Sequence, residues 1–127
     1  MIRVVVAGIL VAGMVVGVLA MREALETRHE VMPPGSHLVV DATASVRGPR
    51  EHAPSLARGL VAACAVEAAT DSQVVRFTWQ GRGRFRFVTR PALDEPDRRQ
   101  LRGCLEDLRV PRLLVSVHDM TVERAAA

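Results

Sequence analysis

The chain has 127 residues and a formal charge of +3, with 49% apolar but only 3% aromatic residues. That length admits one domain and little more, which sets aside a multispanning transporter, a large enzyme, a collagen-like rod and a long disordered chain. Every basic residue is Arg. Together with abundant Ala, Val and Gly, this points to the coding bias of a GC-rich bacterial genome, so the basic balance does not by itself indicate nucleic acid.

Residues 2–21 are apolar apart from Arg3, and no charge occurs from Val4 to Met21. As a helix this stretch would be about 30 Å long, the thickness of a bilayer core. It lacks the polar stripe of a soluble helix, so it is expected to insert in a membrane. The short N-terminus before a lone apolar segment favours a signal-anchor in the cell membrane, with the C-terminal portion outside the cytoplasm. Cleavage after Ala20 is the rival reading, because Val18-Leu19-Ala20 suits a signal peptidase. The apolar run is longer than a usual signal core, which favours retention. Gly13 and Gly17, preceded by Gly8 and Ala12 at the same spacing, allow two helices to approach closely and suggest a homodimer. Gly and Ala are common throughout the segment, which weakens that signal.

Residues 22–36 form a juxtamembrane segment and linker. The helix is expected to run a turn or two past the membrane, with Arg22 and Glu26 as an i,i+4 pair. Pro33-Pro34-Gly35-Ser36 then stops it. The folded domain spans 37–123, leaving 124–127 as a tail.

Within the domain, His37 to Thr43 alternates as a strand, with Leu38, Val40 and Ala42 on one face and Val39, Asp41 and Thr43 on the other. Ser45 to Ala53 reads as a loop. A helix follows, with Pro54 in its first turn, burying Ala57, Leu60, Val61, Cys64 and Ala68. Gln73 to Trp79 and Arg84 to Val88 alternate again, with Val75, Phe77 and Trp79 on one face. A two-residue turn would pair Trp79 with Arg84. A three-residue loop, Gly81-Arg82-Gly83, pairs Trp79 with Phe85, Phe77 with Phe87 and Thr78 with Arg86, which gathers the aromatics on one face. Asp94 and Asp97 cap a second helix that buries Leu101, Cys104, Leu105 and Leu108. A last strand covers Arg112 to Met120.

The order β-α-β-β-α-β predicts an α+β, ferredoxin-like domain: an antiparallel sheet with both helices on one face. Cys64 and Cys104 fall on the apolar stripes of the two helices. A disulfide between them would stabilise an exported domain by about 3–4 kcal/mol, provided the helices are staggered enough to bring the two together. There is no Cys-x-x-Cys and no His cluster, so neither a metal nor a cofactor is expected.

No catalytic constellation is evident, and an enzyme is not expected. His29, His37, His52 and His118 are scattered. His118 and Asp119 are neighbours on a strand and should point to opposite faces. Gly81-Arg82-Gly83 serves better as a turn than as a phosphate cradle.

The open sheet face is the more informative feature. It would carry Arg76, Thr78 and Gln80, then Arg84 and Arg86, with Arg82 and Arg90 adding charge at the strand ends. Such a ledge could grip carboxylates or phosphates. Pairing of Asp41 with Arg86 would make it an ordinary solvated face instead. RNA-recognition domains share this topology but stack bases on aromatics of the open face. Here the aromatics turn to the core, so nucleic acid is not an expected partner. The expected function is a non-catalytic, single-pass membrane protein presenting a small interaction domain, an accessory subunit of an envelope complex with a protein partner. The alternative is a module that binds anionic lipid or another acidic ligand through the arginine face.

Overall fold

The computed structural model describes residues 1–25, 29–69, 71–108, 110 and 112–124. Glu26, Arg28 and the last three alanines lie outside them, as does the expected Arg22–Glu26 pair. The first element, α1, is one uninterrupted helix over Ile2–Leu25 with no buried residue. It is long and apolar enough to cross a membrane, and its length, about 36 Å, exceeds a bilayer core.

The remaining elements run β1 (His37–Val46), α2 (Ala53–Ala68), β2 (Gln73–Gly81), β3 (Arg84–Arg90), α3 (Glu95–Asp107) and β4 (Leu113–Glu123). The four strands form one sheet in the order β2-β3-β1-β4, with every neighbouring pair antiparallel. β1 extends three residues past the expected end, because Ala44 to Val46 pair with Val115 to Leu113. A short 3-10 turn, Arg50–His52, leads into α2.

One core joins the sheet to both helices. Leu38, Val40, Ala42 and Ala44 of β1, Phe85 and Phe87 of β3, and Leu113, Val115 and Val117 of β4 pack against Ala57, Leu60, Val61 and Cys64 of α2 and Leu101 and Leu105 of α3. Alternation places all of these strand residues on one face. Leu108, expected in the core, instead caps α3 at 46% exposure. Its amide still donates to the Cys104 carbonyl at 2.9 Å, and its backbone leaves in an extended conformation.

The β2–β3 pairing matches the aromatic register. Phe77 faces Phe87, Thr78 faces Arg86 and Trp79 faces Phe85. The means differ from the expected three-residue loop. Gly81 pairs with Arg84, so the turn itself is Arg82-Gly83, both residues having positive φ. Such a turn matches the twist of a hairpin. One extra residue on β2, Gln80, then restores the register as a bulge.

Gly83 is the residue that lets this turn seat. A Cβ there would lie 2.4 Å from the carbonyl oxygen of Ala44, and the Gly83 carbonyl accepts from the Ala44 amide at 2.7 Å. Phe85 then stacks centrally, with ring centroids 5.4 Å from Phe77, 6.1 Å from Trp79 and 6.4 Å from Phe87.

Two further bulges change which side chains share a face. Val75 is an extra residue on β2, so Val74 packs against the core and Val75 turns out to 55% exposure. This corrects the expected alternation of Val75 with Phe77. His118 is an extra residue on β4, opposite the step between Asp41 and Ala42. Beyond it Met120 and Val122 meet the core, so Asp119 faces the same side as His118 rather than the opposite one.

The sulfurs of Cys64 and Cys104 are 2.09 Å apart, with Cα atoms separated by 5.6 Å. The stagger this requires is visible nearby, where the Gln100 side-chain amide donates to the carbonyl of Glu67 at 3.1 Å. The middle of α3 therefore lies beside the last turn of α2.

Phe85 and Phe77 should respond unequally to truncation. Phe85→Ala should cost about 3–5 kcal/mol in denaturant unfolding of the full chain in micelles. Phe77→Ala, at the half-covered edge, should cost less. Equal losses would contradict the register.

Candidate functional site

The open sheet face is built row by row from the pairing. Nearest the start of β1, the row is Arg90, His37 and Glu123, and the next contains Arg76, Val88, Val39 and Thr121. The third is Thr78, Arg86, Asp41 and Asp119. Arg84, Thr43 and Ser116 follow, with Gln80 beside them. The arginines therefore lie on β2 and β3, and the acids lie on β1 and β4. Asp119 and Glu123 escaped the sequence reading because the last strand was ended too early and its alternation was carried through the bulge.

Arg86 is not a free cation. Its Nε donates to Asp41 Oδ1 at 2.7 Å and a terminal nitrogen donates to Oδ2 at 3.0 Å, a two-point pairing. The hydrogen bond and charge of Asp41, followed by the charges of Glu123 and Asp119, hold the guanidinium protonated beyond its ordinary range. Asp41 and Asp119 stand directly opposite on neighbouring strands, a like-charge arrangement that Arg86 offsets. His37 Nε2 donates to Glu123 Oε2 at 2.6 Å, and His118 bonds the Thr43 hydroxyl.

A cavity of about 710 Å³ over this face is bordered by Arg76, Arg86, Arg90, Thr78, Val39 and Val88, among others. Among the described residues, Arg76 and Arg90 have no carboxylate within 4.0 Å. Arg84 is exposed on the same face, outside the cavity. Arg82 is separate from this group and borders a different cavity with Trp79 and Arg50. The five arginines expected along one ledge therefore divide between two places. Gly13 and Gly17 are exposed on α1, and a Cβ at either would meet nothing within 4 Å.

A second cluster ties the segment before β1 to α3. Asp94 caps α3, accepting the Asp97 amide on Oδ1 at 3.0 Å. Its Oδ2 accepts from His29 Nδ1 at 2.9 Å and from the Glu30 amide at 3.1 Å. Ser36, fully buried, accepts from the Ala92 amide at 3.2 Å, and Met32 packs against the core. The expected linker is thus docked onto the domain from His29 onward. The donor atoms of His29, Asp94 and Asp97 lie within 4.8 Å of one another, but both Asp94 oxygens are already engaged as a clasp.

Burial alone would raise the Asp94 carboxyl. The Asp97 amide, His29 and the Glu30 amide outweigh it, so the net position is below the ordinary 3.8. Asp97 moves up instead, through burial and the adjacent Asp94 charge. The chain matches no protein-family model, no curated protein and no solved structure.

Two outcomes follow from these contacts. Asp94→Ala should lower stability by about 1–2 kcal/mol at pH 7. The lowered carboxyl stabilises the fold above pH 3.8, its ordinary value, and that contribution disappears as pH falls through the folded-state value. The deficit, read by urea unfolding, should therefore shrink toward pH 3, and a deficit independent of pH would contradict the clasp. In a separate test, Asp41→Asn should broaden the Arg86 Nε–H NMR signal by faster exchange. An unchanged signal would mean that Asp41 does not hold Arg86.

Proposed function

We propose that this chain is a non-catalytic, single-pass membrane protein that presents a small ferredoxin-like interaction domain outside the cytoplasm, as an accessory subunit of an envelope complex. The observation that carries this reading is α1, free of charge from Val4 to Met21 and exposed along its whole length beside a domain that has its own core. An exposed helix of that composition has a natural environment in lipid. The Cys64–Cys104 bridge fits an oxidising compartment. The βαββαβ order and the β2-β3-β1-β4 sheet support the ferredoxin-like assignment.

The open face suits a protein partner, because it offers both signs of charge around Val39 and Val88. Nucleic acid fits poorly: Phe85 and Phe87 are buried, and Phe77 and Trp79 pack against the core on the helix side. A second reading, an acidic ligand held on the open face, draws on Arg76 and Arg90, which among the described residues have no carboxylate within 4.0 Å.

Membrane extraction and topology test the main reading together. The full chain should stay in the membrane fraction after alkaline carbonate washing and remain uncut after Ala20. Protease added outside spheroplasts should digest the domain, and both cysteines should resist alkylation until reduced. Release by carbonate, an N-terminus at Met21, or protection from protease would overturn it.

A further inference from the structure

We propose that the cleft at the hairpin end of the sheet binds a small planar anion, an aromatic carboxylate or an aromatic phosphate ester. This cleft is distinct from the open face and does not depend on how the chain is anchored. It encloses about 540 Å³, within the usual size of small-molecule sites, about 300–1,000 Å³. Three separate segments build it: Trp79, Arg82 and Gly83 from the hairpin, Ala44 to Val46 from the end of β1, and Arg50 with Ala53 at the approach to α2.

Among the described residues the lining carries two guanidinium groups and no carboxylate. Among the described residues, neither Arg50 nor Arg82 has an acidic partner within 4.0 Å. Two arginines from distant parts of the chain thus border one small space with their charge unspent. Guanidinium forks match the oxygens of a carboxylate or phosphate group.

Arg82 is also held in an unusual place. It sits at φ +53 between Gly81 and Gly83, which take positive φ without steric cost. Gly83 is pressed against the Ala44 carbonyl with no room for a side chain. That contact and the hydrogen bond from the Ala44 amide tie the turn to β1 and set the Arg82 backbone beside the cleft.

Trp79 supplies the apolar part. Its ring is half-buried and nearly parallel to Phe85, at an interplanar angle of 4°, and it borders the cleft. Among the described residues the single guanidinium seated over an aromatic ring is that of Arg58, over Phe77. Neither Arg50 nor Arg82 covers Trp79, which leaves the part of its ring that borders the cleft, away from Phe85, for a flat ligand. An anion on an aromatic ring would place its charge between the arginines and its plane against the indole.

The chain has one Trp and no Tyr, so its emission reports on this cleft alone. The test titrates the full chain, in a non-ionic detergent, with phenyl phosphate and with benzoate. At least one should change Trp79 emission saturably, and the tighter of the two identifies which acid group the cleft prefers. Arg82→Asn, which keeps a residue tolerant of positive φ, and Arg50→Gln should each weaken binding about tenfold. Inorganic phosphate and benzyl alcohol, each lacking half of the ligand, should bind at least about tenfold more weakly. Arg76→Gln on the open face should leave the affinity unchanged. The proposal fails if neither probe gives saturation by about 10 mM, or if the Arg82 and Arg50 variants bind as the parent does. Equal weakening by Arg76→Gln, or equal affinity for inorganic phosphate, would also overturn it.

Discussion

Everything in the domain rests on keeping the four aromatic side chains on the helix side of the sheet. With so few aromatics and a body of about 90 residues, the core has little apolar surface to spare. Phe85 lies between Phe77, Trp79 and Phe87. A slip of one residue in the hairpin would move the Phe85 and Phe87 rings into solvent and bring Arg84 and Arg86 into the core. The buried arginines would be uncompensated, so no neighbouring register competes. The bridge between Cys64 and Cys104 acts on the other layer, tying α2 to α3 across a separation of 40 residues. That constraint supplements a core which is otherwise small.

The same choice of register decides the electrostatics of the outside. Arg76, Arg84, Arg86 and Arg90 must face away once the rings face in, and they do so on β2 and β3. The strand order then sets β1 and β4 beside them, carrying Asp41, Asp119 and Glu123. A sequence count over residues 81–90 registers only the positive side of this arrangement. The folded face has two signs, and its central arginine is already paired with Asp41. On the proposed reading, such a surface would discriminate among partners by charge pattern more than it would attract any anion at long range.

The parts of this fold that follow strict periodicity were readable in the sequence. Phe77, Trp79, Phe85 and Phe87 fixed the strand pairing, and the 3.6-residue spacing put Cys64 and Cys104 on facing stripes. Asp94 was recognisable as a cap because its oxygen must meet the amide of Asp97. The bulges were not readable. Val75, Gln80 and His118 each add one residue to one strand of a pair, and alternation on either side of a bulge looks normal until the partner strand is known. Asp119 was assigned to the wrong face for that reason, and with it most of the acidic half of the surface. Docking of His29 to Ser36 was hidden for a different reason. Pro33-Pro34-Gly35 carries every local mark of a free linker, while Ser36 is fixed by the Ala92 amide, 56 positions away, and Met32 by the core.

The docked segment and the bulged strands bear on how the pieces work together. The clasp of His29 and Glu30 on Asp94 fixes the chain where it enters the domain, at the beginning of β1. The cleft formed by Trp79, Arg82 and Arg50 lies at the opposite end of that strand, about 30 Å away at the rise of an extended chain. The open face runs between them. On the proposed reading, the anchored end, the partner face and the ligand cleft occupy three separate stretches of the same sheet. β1 is the element common to all of them: Ser36 precedes it at the clasp, Asp41 holds Arg86 on the face, and Ala44 seats the turn that carries Arg82. The cleft and the face are thus joined by one hydrogen-bonded element rather than by a loop.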